Sequence, residues 1–279
     1  MSRRQNLEHH RRSLGEIREI MNSMKNLAYM ESRKMGRYLD AQRSVVRSIE
    51  AVAADFISFN AGVLPAAQAS SAVVLVLGSE RGFCGNFNHT LLRQLQALTD
   101  RLPSQAELIP VGRKLYTLLE GDGRVAAPLE GASVLEEIAG VISALVGELR
   151  ALQQQRGLLT VIALYHGGEQ LPVERQILPP FEHLRQATVQ FSCPPLLNLS
   201  PREFLLELTD HYLFAALYEI LYASFMAENY QRVAHLEAAV RRLDEQSGDL
   251  ARRCNALRQE EIIEEIEVIL LSAASLGER

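Results

Sequence analysis

The chain has 279 residues, 47% hydrophobic and 23% charged, with a formal net charge of −5, enough for one or two domains around a buried core. The acidic balance argues against a general nucleic-acid binder, which needs excess cation to displace counterions from phosphates. The N-terminus lacks the apolar stretch of a secretion signal, and no run of about 20 apolar residues is present, so any link to a membrane is expected to pass through another protein.

Residues 5 to 60 contain no proline and read as one long helix. Every seventh residue from Leu7 gives Leu14, Met21, Ala28, Met35, Gln42, Ile49 and Phe56. A companion series three residues later gives His10, Ile17, Met24, Glu31, Tyr38, Val45, Val52 and Phe59. All but Gln42, His10 and Glu31 are apolar. A stripe of period 3.5 kept this long predicts a coiled-coil helix, about 80 Å in length at 1.5 Å per residue, which must protrude from a domain of this size. This segment is basic, with eleven Lys/Arg against five Asp/Glu in residues 1–49.

Strands and helices then alternate over residues 72–195. The apolar run at 72–78 predicts a buried strand that empties into "SERGFCGNFN" (79–88), followed by a helix at 89–102, a strand at 106–112, and a helix and turn beginning at Arg113. A helix at 133–155 and a strand at 157–167 come next. "ERQILPP" and "ATVQFSC" (187–193) read as short edge segments. Apolar strands separated by amphipathic helices imply a sheet covered on both faces, here a Rossmann-like, doubly wound α/β domain.

The glycine loop lacks the parts a phosphate site requires. Gly78, Gly82 and Gly85 stand in neither GxxxxGK[ST] nor GxGxxG spacing, and Asn86 and Phe87 occupy the positions where a lysine and a hydroxyl would be. The loop is therefore expected to be a structural βα connection, with Asn86 or Asn88 placed to cap the following helix. Arg81 is its one cation.

After "PPLLNLSPREF", Ser200 is placed as N-cap with Pro201 and Glu203 in the first turn. No proline follows, and a second long helix is expected over 202–276. Its stripe runs Leu236, Val240, Leu243, Ser247, Leu250, Cys254 and Leu257, then is expected to shift register to Ile262, Ile266, Ile269, Ala273 and Leu276. Glu264, Glu265 and Glu267 read as a solvated face rather than acid/base groups. The expected layout is 1–60 helix, 72–195 α/β domain and 202–276 helix, with the two helices wound into an antiparallel two-stranded coiled coil. Cys84, Cys193 and Cys254 show no metal-ligand spacing, His9 and His10 point to different sides of a helix, and neither GxSxG nor HExxH occurs. No catalytic site, metal or cofactor is expected.

Three stretches carry a family resemblance. "SERGFCGNFN" is similar, at Ser79, Arg81, Gly82, Cys84, Gly85 and Asn88, to a loop of the gamma subunits of F-type ATP synthases. "CNALRQEEIIEEIEVILLSAASL" is similar to the ending of that family at Asn255, Arg258, Gln259, Ile262, Glu265, Ile266, Ile269, Ala273, Ala274 and Leu276. "AENYQRVAHLEAA" shares Glu228 and Arg232 with it. The N-terminal family signature is kept only at Met24, Lys25, Ala28 and Lys34, and Ile263 stands where the family has threonine, which marks a divergent branch. The resemblance implies a non-catalytic rotor shaft that couples ion flow through a membrane ring to ATP synthesis or hydrolysis. It places Arg258 and Gln259 against the catalytic alpha and beta subunits, Met24 near the same height, and Leu276 in an apolar sleeve. It makes the α/β domain, with Gly82, Cys84, Gly85 and Asn88 as a structural loop, the foot that meets the epsilon subunit and the membrane c-ring. The implied location is peripheral, on the cytoplasmic face of a prokaryotic inner membrane. The competing readings are a nucleotide-dependent α/β enzyme with helical arms and a non-rotary coiled-coil adaptor.

Overall fold

The computed structural model describes residues 3–64, 71–102, 106–167, 171–184 and 193–277, with the side chains of residues 61 and 271–277 outside that description. Its helices are α1 (Arg3–Asn60), α2 (Phe87–Thr99), α3 (Arg113–Tyr116), α4 (Ile138–Arg156) and α5 (Pro201–Gly277). Its strands are β1 (Ser71–Leu77), β2 (Glu107–Val111), β3 (Leu159–His166) and β4 (Pro172–Leu178). The expected edge segment at 187–193 lies, Cys193 apart, outside the described residues. The chain divides into two compact units, Ala28–Arg232 and Met1–Leu27 with Val233–Arg279.

In the larger unit the strands lie in the order β2-β1-β3-β4. β1 pairs in parallel with both β2 and β3, and β4 closes the edge antiparallel to β3. Alternation within β1 feeds two cores. Val73, Leu75 and Leu77 join Ile142, Leu145 and Leu149 of α4, together with Met35, Leu39, Leu217 and Ile220 of the long helices. Val74 and Val76 face the other way, onto Phe87, Leu91 and Leu95 of α2 and Leu115 of α3. The sheet is thus covered on both faces, and β1, with Val74, Leu75 and Val76 fully buried, reads as an unbroken apolar run for that reason. α4 is held by one stripe at helical spacing, Ile138, Val141, Ile142, Leu145, Val146, Leu149 and Leu152.

Within this unit α1 and α5 pack antiparallel. Phe56 meets Phe204 at a ring separation of 4.8 Å, and Gln42 donates to the Ala215 carbonyl at 3.0 Å, which accounts for the one polar residue in the Leu7 series. Ser200 and Glu203 form the expected cap: the Ser200 hydroxyl donates to the Glu203 carboxylate at 2.7 Å, and the Glu203 N–H points back to that hydroxyl at 3.4 Å.

The stripe on α1 differs from expectation in one respect. The Leu7 series is inward throughout, with Ala28, Met35 and Phe56 fully buried, but the companion series is not. Tyr38, Val45 and Val52 are about half exposed and Ile17 is 43% exposed. The buried companions lie four residues on, at Ser32, Leu39, Val46 and Ala53. The i+3 and i+4 neighbours of a stripe residue flank it on opposite sides. Hydropathy favours the i+3 side here, whereas packing uses the side on which α1 faces both α5 and the α/β core. Glu31 of the i+3 series is buried nonetheless, taking the Leu135 N–H at 3.4 Å and Lys34 at 3.0 Å.

In the smaller unit the pairing is again antiparallel: Arg18 meets Asp244 at 2.5 Å and Arg4 meets Glu261 at 2.9 Å. Leu14, Leu236, Val240 and Cys254 are buried between these helices. The register shift expected after Leu257 does not occur. The next inward residue is Glu261, while Ile262, Ile266 and Ile269 are 45%, 50% and 64% exposed. α1 is described from Arg3, and beyond the Arg4–Glu261 pair no described residue of α1 covers α5.

Candidate functional site

Two places are candidates: the glycine loop after β1, and the end of α5 that α1 does not cover. The loop is tied down at each step. The Asn88 carbonyl oxygen takes the Ser79 N–H at 2.9 Å, and its amide donates to the Ser79 hydroxyl at 2.9 Å. Asn88 is therefore spent on the loop, and Asn86, at the N-cap of α2, makes no side-chain capping bond, so the expected cap is absent at both positions. Glu80 is buried, and its carboxylate takes the backbone N–H groups of Arg113 at 2.9 Å and Gly131 at 2.8 Å. The Cys84 thiol points to the Arg81 and Gly82 carbonyls, both at 3.4 Å. Burial, and next the Glu228 carboxylate, push its pKa up to about 12, so at neutral pH it is an inert thiol.

A phosphate-binding loop presents free N–H groups to its ligand. Here the Arg81 N–H is directed at the Glu228 carboxylate at 3.4 Å, the Ser79 N–H at Asn88, and the Gly78 N–H at the Val111 carbonyl at 2.9 Å. An anion approaching these three N–H groups would meet the Glu228 carboxylate and the Asn88 and Val111 oxygens. Glu228 itself sits under the loop beside Arg232, with burial driving its pKa upward against the pull of Arg232. The sequence points to Glu228 and Arg232 only through the family resemblance. Their contact with the loop joins residues about 150 apart, which no local pattern signals.

At the far end of α5, Arg258 and Gln259 are exposed, and among the described residues neither makes a hydrogen bond or ion pair. Met24 is half-buried on α1. Leu276 lies within α5, but its side chain falls outside the described residues. Ile262, Ile263, Ile266, Val268, Ile269 and Leu270 expose between 45% and 66% of their surface, interleaved with Glu260, Glu264, Glu265 and Glu267. Among the described residues no helix is long and apolar enough to cross a membrane, and no group of three metal-ligating side chains converges.

Comparison with known proteins gives one consistent result. The sequence profile of the family described as ATP synthase matches residues 3–276. The ATP synthase gamma chain of Heliobacterium modesticaldum is 25% identical over 283 residues, covering 95% of this chain and 96% of that protein. That of Methylibium petroleiphilum is 23% identical over 280 residues, with the same coverage. Among solved structures, a chain of the Euglena gracilis mitochondrial ATP synthase (OSCP/F1/c-ring, rotational state 3) is similar with a TM-score of 0.62 at 15% identity, covering 98% of this chain and 94% of that one. A chain of the central stalk/c-ring structure from Tetrahymena thermophila gives a TM-score of 0.58 at 17% identity, over 79% of this chain and 99% of that one.

Proposed function

This chain belongs to the ATP synthase gamma chain family, the non-catalytic rotor stalk, and from that premise we infer which of its surfaces meet which partners. The observation that carries the reading is the end of α5: past the Arg4–Glu261 pair the helix continues with an apolar face that is exposed among the described residues. Such a face wants an apolar surround, which a ring of catalytic alpha and beta subunits would supply. Arg258 and Gln259, two turns before Ile266 and already exposed, are the contacts with the catalytic subunits. Arginine offers a planar fork to carboxylates, and glutamine both donates and accepts. Met24 and Leu276 complete this set, Met24 beside the ring and Leu276 within the apolar surround. Rotation of an asymmetric shaft changes catalytic affinity only if these contacts differ between the states of each catalytic site.

The α/β domain, residues 72–195, forms the foot against the epsilon subunit and the membrane c-ring, between helical segments 1–60 and 202–276. Gly82, Cys84, Gly85 and Asn88 serve it as a structural loop. The complex lies peripherally on the cytoplasmic face of a prokaryotic inner membrane, a location the bacterial gamma chains at 23–25% identity support. The loop donors already taken by Asn88 and Glu228 weigh against the nucleotide-enzyme alternative.

The test is reconstitution with the cognate alpha, beta and epsilon subunits. Arg258→Ala and Gln259→Ala are expected to lower hydrolysis by the complex by about tenfold, the equivalent of one charge-assisted hydrogen bond of about 1.5 kcal/mol. Unchanged turnover would remove these two residues from the interface. ATP hydrolysis by the isolated chain would remove the rotor reading itself.

A further inference from the structure

Three polar side chains on one stretch of α5 are almost shut off from water: Glu228 is 4% exposed, Asn229 3% and Arg232 6%. Arg232 pairs with Glu228 along the helix, donates to the Asn229 side-chain oxygen at 2.7 Å, and reaches the Gly82 carbonyl with its Nε at 3.2 Å. In the opposite direction the Arg81 N–H is directed at Glu228 at 3.4 Å. One turn earlier, the Ser224 hydroxyl donates to the Leu77 carbonyl at 3.3 Å. Helix and loop are thus joined in both directions, through donors and acceptors on each side.

The place of this cluster gives it meaning. The unit that contains the α/β fold ends at Arg232, and the other begins again on α5 at Val233. Burying a charge pair carries a desolvation penalty that apolar packing would avoid. The free energy of apolar burial is itself non-directional, whereas hydrogen bonds weaken steeply when their geometry turns. We propose that Glu228 and Arg232 are positioning residues of the rotor, which with the Gly82 carbonyl fix the rotational angle of α5 against the α/β fold, so that torque applied to that fold enters the helix without slip. The proposal rests on the rotor-stalk reading.

The test uses the assembled complex. Arg232→Lys keeps the charge beside Glu228 but loses the planar fork that serves Glu228, Asn229 and Gly82 together. Glu228→Gln keeps the shape and removes the charge. The double variant E228M/R232M restores burial without directional bonds and guards against simple unfolding. Two quantities are read: ions translocated per ATP hydrolysed in reconstituted vesicles, and the angular spread of a rod attached at the exposed Cys193 with the catalytic ring held to a surface. All three variants are expected to at least roughly double the variance of the rod angle and lower ions per ATP under load, while unloaded hydrolysis stays within about twofold of the unaltered complex, as the loss of one oriented, charge-assisted network implies. A purely structural role lowers the yield of complex and leaves both quantities unchanged in what assembles; that result overturns the proposal. Unaltered angular spread in E228M/R232M overturns it as well. If the complex with the unaltered chain neither assembles nor translocates ions, the rotor reading fails and the positioning role fails with it.

Discussion

Gly82 and Gly85 are indistinguishable in the sequence, yet the structure asks different things of them. Gly85 has φ at 57°, where a Cβ crowds the following carbonyl. Gly82 lies outside that region, and a Cβ there meets only the flexible Lys114 Cε at 4.0 Å. Its use is its carbonyl, which any residue supplies. Gly85→Ala is expected to destabilise the chain by about 1 kcal/mol and Gly82→Ala by less than about 0.5 kcal/mol in urea denaturation. Equal costs would mean that the loop is not held as described. Gly78 is a third case: a Cβ there would sit 2.3 Å from the Leu115 Cβ, so it is kept small by the close approach of α3 to the end of β1. The sequence shows three glycines in a loop; that Gly78 and Gly82 face Leu115 and Lys114, more than 30 positions away, is decided by the fold.

At the scale of elements, local signals did well where they depend on near neighbours. The Ser200–Glu203 cap and the apolar run of β1 form as their spacing implies, and the helix expected over 133–155 is observed at Ile138–Arg156. The stripe of α1 was half legible: its first series is inward, and its second was placed on the wrong side of it. Leu39 of the i+4 series, buried in the core that α4, α5 and the sheet share, and Val45 of the i+3 series, 47% exposed, separate the two placements. Leu39→Ala is expected to destabilise the isolated chain by about 2–5 kcal/mol, and Val45→Ala by no more than about 0.5 kcal/mol. Similar losses at both would restore the i+3 stripe. The small side chains of Ser32 and Ala53, weak signals on any hydropathy scale, are where the helix is in fact covered.

At the scale of the whole molecule, α1 and α5 each contribute to both compact units, and family membership rests on a match that runs from residue 3 to residue 276. At the end of α5, residues Ile262 to Leu270 are exposed. Truncation after Glu261 is therefore expected to shift the denaturation free energy of the isolated chain by no more than about 0.5 kcal/mol, while the complex built with it loses hydrolytic activity. A large drop in the stability of the isolated chain would show that this stretch folds back onto its own protein.

By itself the sequence determined the order of elements, the antiparallel pairing of two long helices, the two-faced burial of β1 and the family, because each is written in short-range periodicity or in motifs of contiguous residues. Tertiary structure alone decided which flank of the α1 stripe is covered, that Ile262 to Leu270 of α5 are exposed, and that Glu228 and Arg232 grip the glycine loop. Those outcomes depend on surfaces brought together across more than a hundred residues, and the free energy of burial belongs to the pair of surfaces, not to either one read alone.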